Sequence, residues 1–130
     1  MARKRNVGVF DGFIYRGGGP MTAWLLHRIS GLGIVLFVGL HVLMSFLSAG
    51  SSGLGDLAGK VNDLYQSWGF QIFIVSCVLF HAVNGLRIII LDLWPKLIEH
   101  QREAIWIEWA VLLPLLAIAA LVIARSGLAG

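Results

Sequence analysis

Long uninterrupted runs of apolar residues dominate this chain, and short polar stretches separate them. Three such runs cover residues 23–48, 68–93 and 105–125. Each run is long enough to cross about 30 Å of hydrocarbon as a helix that rises about 1.5 Å per residue. The pattern therefore predicts an all-α integral membrane protein, a bundle of three transmembrane helices.

The segments between these runs are interpreted by their position. Residues 1–22 form a basic N-terminal arm, residues 49–67 an outer loop and residues 94–104 an inner, cytoplasmic loop. The arm mixes apolar residues with basic residues and glycines, which is compatible with docking on a membrane or a soluble partner and equally with disorder. A cleavable signal peptide over the first run is the competing interpretation, but that run is longer than an h-region and contains His41.

The distribution of charge predicts the orientation in the membrane. Basic residues precede or open the first helix at Arg3, Lys4, Arg5, Arg16 and Arg28. The outer loop contains Lys60 as its single basic residue, whereas the inner loop contains Lys96 and Arg102. By the positive-inside rule the N-terminus is cytoplasmic, and all five tryptophans lie at predicted helix ends, as an aromatic belt requires. We therefore expect a multi-pass protein of the cell inner (cytoplasmic) membrane.

Composition narrows the class of protein further. Of 130 residues, 58% are hydrophobic and only 13% are charged, which fits a membrane protein better than a small soluble domain. The single cysteine, Cys77, can form neither an intrachain disulfide nor a cysteine-based metal site. The net charge of +3 arises from scattered residues and not from one patch. A nucleic acid is therefore not an expected partner.

The second predicted helix contains a polar motif, His81-Ala-Val-Asn-Gly85-Leu-Arg87. Such side chains are costly in hydrocarbon and are usually functional. A neutral histidine, followed one turn later by a glycine that leaves room for a flat ligand, is suited to binding haem. The alternative is that His81 merely forms a hydrogen bond to a neighbouring helix.

His41 is a second histidine deep inside a predicted helix. Counting from the inner helix ends places His41 at ~26 Å and His81 at ~18 Å, a difference of ~8 Å. Because one haem iron needs both axial nitrogens at the same depth, the simplest arrangement is two haems, each completed by a histidine from another chain. Interhelical hydrogen bonding is again the alternative.

A polar cluster lies about one turn inside the first predicted helix, at His27, Arg28 and Ser30. Arg28 can bond a haem propionate or polarise a quinone carbonyl, and Ser30 can donate a hydrogen bond. The competing interpretation is that these side chains reach into the lipid headgroups. Arg87 and Asp92 also have two open interpretations: they anchor the helix at the interface, or they bind propionates or handle protons.

The chain contains two motifs in order, His27-Arg28-Ile-Ser30-Gly31 and His81-xxx-Gly85-x-Arg87-xxxx-Asp92. With these motifs it resembles the cytochrome b membrane-anchor subunit of succinate dehydrogenase, which is the C subunit of succinate:quinone oxidoreductases. The resemblance extends over most of the chain. It implies that a flavoprotein subunit and an iron-sulfur subunit oxidise succinate, while this chain and a sister anchor subunit form one larger haem-binding bundle. Electrons would pass to membrane quinone, and the isolated chain would not be catalytic.

The resemblance also implies roles for residues around the haem. His81 is implied as an axial ligand of haem b, and His41 resembles the additional ligand of the two-haem members. His27, Arg28 and Arg87 are implied to approach the haem propionates. Two alternatives stay open: the matching anchor of a quinol:fumarate reductase, and a haem-free structural or transport subunit.

For the quinone, the resemblance implies that Arg28 and Ser30 lie near the binding site. Trp24 stands where some relatives have a quinone-binding serine, so we expect the quinone pocket of this chain to be formed differently. Ile88 stands where some relatives have a second histidine, so no propionate contact is expected from that position. Menaquinone and ubiquinone both remain open.

Overall fold

The computed structural model describes residues 18–49 and 54–129. In these residues four α-helices and a 3₁₀ helix follow one another: α1 Gly19–Ala49, α2 Gly55–Gln66, α3 Trp68–Leu93, the 3₁₀ helix Pro95–His100 and α4 Gln101–Ala129. Three of these segments, in α1, in α3 and from Pro95 to Ala129, are long and apolar enough to span a membrane. The predicted all-α bundle of three transmembrane helices is confirmed, and the chain is a multi-pass membrane protein.

The helix boundaries differ from the predicted ones mainly at polar ends. The bounds of α3 agree with the prediction, but α1 begins at Gly19, so residues 19–22 belong to a helix and not to the arm. Pro20 fits there because a proline in the first turn removes no helical hydrogen bond. α4 likewise extends beyond both ends of the predicted run. Our expectations for the rest of the arm, up to residue 17, and for residues 50–53 of the predicted outer loop lie outside the described residues.

The predicted outer loop contains an additional helix, α2, which packs against α1. Leu57, Val61, Leu64 and Tyr65 recur at helical spacing and line one face of α2. Many polar residues and glycines between them hid this periodicity. The predicted inner loop is also helical in part, since it includes the 3₁₀ helix and the first turn of α4.

The helix α3 is the centre of the bundle and contacts both α1 and α4. It runs antiparallel to α1, so that Gly31 lies beside His81 and Gly85 beside His27. Among the described residues, three polar side chains are buried in the bundle: Ser30, Asn84 and Glu108, with exposures of 5%, 0% and 3%. Since most large apolar side chains face outward, as lipid requires, these buried polar groups mark the candidate functional regions.

Candidate intramembrane histidine site

His81 projects from α3 toward the backbone of α1. Its Nδ1 lies 3.1 Å from the carbonyl oxygen of His27 and 3.4 Å from Oγ of Ser30. Ser30 Oγ donates to the same carbonyl at 2.9 Å, and a carbonyl can only accept, so Nδ1 is the protonated nitrogen that donates to it. In the part of the chain that the structure describes, Nε2 makes no hydrogen bond. The imidazole is thus oriented through Nδ1 with Nε2 uncommitted, the arrangement of a metal-ligating histidine.

Gly31 is the residue that lets the His81 ring approach α1. A Cβ atom at position 31 would lie 2.8 Å from Cε1 and 3.2 Å from Nδ1 of His81. The first distance is shorter than real Cβ contacts allow, so any side chain here would displace the ring. The sequence contained Gly31 within a motif, but its role depends on the register between α1 and α3, which no local pattern reveals.

His27 stacks on His81, with ring centroids 4.0 Å apart and an interplanar angle of 8°. We expected Gly85 to leave room for a flat ligand, but here it faces the His27 ring, whose Cε1 would lie 3.5 Å from a Cβ at position 85. Two axial nitrogens must approach an iron from opposite sides, whereas these parallel rings lie face to face. His27 and His81 are therefore not arranged as a pair of axial ligands to one iron.

The residues expected near quinone fall into two groups at the same end of α1. Arg28 and Trp24 are exposed, and the guanidinium carbon lies 4.0 Å from the centroid of the indole ring, a cation–π contact. Ser30 is buried against His81 on another face of the helix, because two residues correspond to a rotation of about 200°. Trp24 and Arg28 therefore form one group, whereas Ser30 belongs with the histidines.

Arg87 turns toward α4, where it meets a residue that the sequence analysis missed. Its Nε lies 3.0 Å from Oε2 of Glu108, and its Nη2 donates to Oδ1 of Asn84 at 2.7 Å. The side chains of Arg87 and Glu108 are only 10% and 1% exposed. The signal available in the sequence was the position of Glu108, a lone acidic residue inside the third apolar run. Asp92, by contrast, is exposed near the end of α3.

His41 lies in the other half of α1, ten residues beyond Gly31. This separation corresponds to ~15 Å along the helix, larger than the expected ~8 Å, because His81 lies level with Ser30 and Gly31. The His41 ring is exposed and has aromatic neighbours, with centroid distances of 5.7 Å to Phe37 and 5.8 Å to Tyr65 of α2. His41 and His81 are therefore too far apart to bind one iron.

Three membrane-length helices around an oriented intramembrane histidine define a multi-pass helical membrane protein. The model of the succinate dehydrogenase/fumarate reductase transmembrane subunit family matches residues 8–124. The chain is similar to the succinate dehydrogenase 2 membrane subunit SdhC of Mycobacterium tuberculosis, with 34% identity over 110 residues, which cover 85% of this chain and 81% of that protein. The chain belongs to the succinate dehydrogenase/fumarate reductase transmembrane subunit family, which confirms the resemblance carried by the two motifs.

Proposed function

We propose that this chain is the haem b- and quinone-binding membrane anchor of a succinate dehydrogenase, which passes electrons from the iron-sulfur subunit to membrane quinone. The observation that carries the proposal is the orientation of His81, whose Nδ1 is held by a backbone carbonyl while Nε2 is uncommitted. Membership of the transmembrane subunit family supports it.

Haem b, when bound, supplies one-electron transfer, and the residues of this chain hold it in place. His81 is the axial ligand, Gly31 gives its ring room, and Ser30 and the His27 carbonyl fix its rotation. His27 stacks face to face on His81, so a second ligand would come from elsewhere, and we propose a histidine of the sister anchor subunit. With two histidine ligands the haem would be suited to transfer electrons and not to bind oxygen.

His41 is the proposed ligand of a second haem, also completed by the sister subunit. The separation of ~15 Å from the level of His81 requires two distinct groups if both histidines are ligands. The aromatic side chains of Phe37 and Tyr65 beside His41 offer apolar walls to such a group. His27, Arg28 and Arg87 are the basic side chains proposed to lie near the propionates of the first haem.

Arg28 is the proposed quinone-binding residue at the cytoplasmic end of α1. Its exposed guanidinium, held over the Trp24 ring, can donate a hydrogen bond to a quinone carbonyl and stabilise the negative charge that develops there. Ser30 contributes indirectly, since its hydroxyl is engaged at the histidines. The quinone is menaquinone or ubiquinone.

The proposed partners are the flavoprotein subunit, the iron-sulfur subunit and the sister anchor subunit. The two soluble subunits lie on the cytoplasmic side of the inner membrane, at the end of the bundle that bears Arg28. The sister subunit covers part of the apolar surface and joins its helices to this bundle.

The first experiment is a reduced-minus-oxidised spectrum of the purified membrane complex, with haem quantified per copy. Two haems per complex support His81 and His41 as separate ligands, and one haem restricts the assignment to one of them. Absence of haem would favour the alternative of a haem-free structural or transport subunit, in which both histidines serve helix packing.

Substitution of Arg28 tests the quinone proposal separately. Arg28→Ala should lower succinate-dependent quinone reduction about 10- to 100-fold, because a charged hydrogen bond contributes ~1.5–3 kcal/mol. Haem content should stay at the parent level. The control is Arg125→Ala, which removes the same charge at the other end of the bundle and should leave the rate unchanged. A normal rate in Arg28→Ala would exclude Arg28 from the quinone site.

The name of the family also covers fumarate reductase, so the anchor of a quinol:fumarate reductase is the second candidate. Both enzymes use the same redox couple in opposite directions. Rates of succinate oxidation by quinone and of fumarate reduction by quinol, measured on one preparation of the complex, distinguish them.

A further inference from the structure

We infer that Glu108 is a positioning residue: its carboxylate fixes Arg87 and neutralises it beside the His81 site, and so sets the reduction potential of the group that His81 binds. The inference rests on the proposed ligation of haem by His81. It adds α4 to the helices that shape the site, although α4 provides no ligand.

The Arg87–Glu108 contact is a buried ion pair between two helices. It joins α3 to α4 through atoms 3.0 Å apart in side chains that are almost completely buried. The other ion pair in the described ranges, Lys60–Asp56, is exposed and lies within α2. A guanidinium stays protonated in a membrane, and an unpaired charge there is expensive. Glu108 therefore allows Arg87 to occupy the bundle interior.

Asn84 is a second partner of the Arg87 guanidinium. Its fully buried amide oxygen accepts a hydrogen bond from Nη2 of Arg87 at 2.7 Å, while Nε lies at an ion-pair distance of 3.0 Å from the carboxylate. Asn84 lies three residues from His81 and three from Arg87, about one turn from each. The guanidinium of Arg87 thus has two partners, Asn84 on α3 and Glu108 on α4.

The separation between the pair and His81 is short enough for an electrostatic effect. Six residues of α3 correspond to a rise of ~9 Å, and charges in a membrane interior are screened far less than charges in water. Removal of the carboxylate leaves a positive charge that favours addition of an electron nearby. Removal of the guanidinium leaves the carboxyl group without its cation, and such a group takes up a proton in hydrocarbon and is then uncharged.

The test is a redox titration of the purified complex that carries Glu108→Gln, Arg87→Gln or both. The signal followed is the haem absorption that disappears in His81→Ala. We expect Glu108→Gln to shift the ratio of reduced to oxidised haem about tenfold toward reduced, which is ~59 mV for one electron, and Arg87→Gln to lie close to the parent because its carboxyl partner is then uncharged. The uncharged double variant should lie close to the parent.

Glu103→Gln is the matched control, because Glu103 is an exposed acid on the same helix and should have a much smaller effect. No shift in Glu108→Gln, or a shift in the double variant as large as in Glu108→Gln, would overturn the inference. If Glu108→Gln alone fails to assemble, the double variant decides, since the inference requires that removal of both charges restores assembly and the parent potential. Failure of every variant to assemble would make Glu108 a purely structural residue.

The same experiment separates this inference from the proposed function. A parent complex without haem, or with haem that persists in His81→Ala, contradicts the ligand assignment itself. A parent complex with His81-dependent haem whose potential does not respond to Glu108 contradicts only the role of Glu108.

Discussion

The first half of α1 packs against His81 of α3, and the second half contains His41; the two histidines have different surroundings. His81 meets the first half through Ser30, Gly31 and the His27 carbonyl, so its ring has a fixed rotation and a defined free nitrogen. His41, in the second half, is exposed and has ring neighbours, but within the described ranges its imidazole makes no hydrogen bond.

This difference shows what a single subunit can provide before it meets its partners. The His81 half is organised by contacts between α1 and α3 alone. At His41 the ring must be oriented by something beyond these contacts, which under our proposal is the second haem with the sister subunit. We expect the two sites to respond differently to substitution.

The largest effect should come from removal of the histidines. His81→Ala should lower the haem content by one group per complex, and His41→Ala should remove the other, because each change deletes an axial ligand. Quantified difference spectra of the purified complexes measure both losses. His100→Ala, at an exposed histidine, is the control and should retain all haem. Equal haem content in both variants and the parent would end the ligand assignment.

A second pair of variants tests whether space or chemistry organises the His81 half. Gly31→Ala should displace the His81 ring, lower the haem content at least severalfold and cost about 1–3 kcal/mol of stability, as overpacked interiors do. Gly85→Ala places its Cβ at an ordinary contact distance from His27 and should retain haem. Haem content and thermal unfolding of the complexes measure these effects. The reverse result would locate the flat ligand beside Gly85, as the sequence first indicated.

The smallest effect should come from the serines near the two histidines. Ser30→Ala removes one contact to Nδ1 of His81 but leaves the His27 carbonyl, so haem should remain bound with a modest shift in its electron paramagnetic resonance spectrum. A typical hydrogen bond contributes about 0.5–1.5 kcal/mol, which sets the scale. Ser45→Ala, where the hydroxyl bonds only the His41 carbonyl, should leave both spectra unchanged. Loss of haem in Ser30→Ala would show that the carbonyl alone does not hold the ring.

The transmembrane helices could be predicted because lipid imposes one rule on long segments. α3 has the bounds that hydropathy indicated, whereas α2 was missed because its apolar face is interrupted by polar residues. The periodicity of Leu57, Val61 and Leu64 was present in the sequence. Glycines and aspartates around it favoured a loop by composition.

For the candidate site, the sequence allowed us to predict individual side chains but not the contacts between them. The placement of His81 inside the bundle followed from hydropathy, and its likeness to a known family followed from the motif. Which partners it meets depends on the register between helices. Gly31, rather than Gly85, makes room for its ring, and Glu108, not a residue of either motif, meets Arg87. Contacts between helices of this kind leave no period in the sequence.

The acceptor for Nδ1 of His81 is a main-chain oxygen, and this has a consequence for how the protein tolerates genetic change. A mutation at codon 27 alters the imidazole but cannot delete the carbonyl that orients His81. Only a shift or rotation of α1 against α3 removes this contact. The hydrogen bond that orients the ligand is therefore inherited with the helix itself and does not depend on which side chain residue 27 carries.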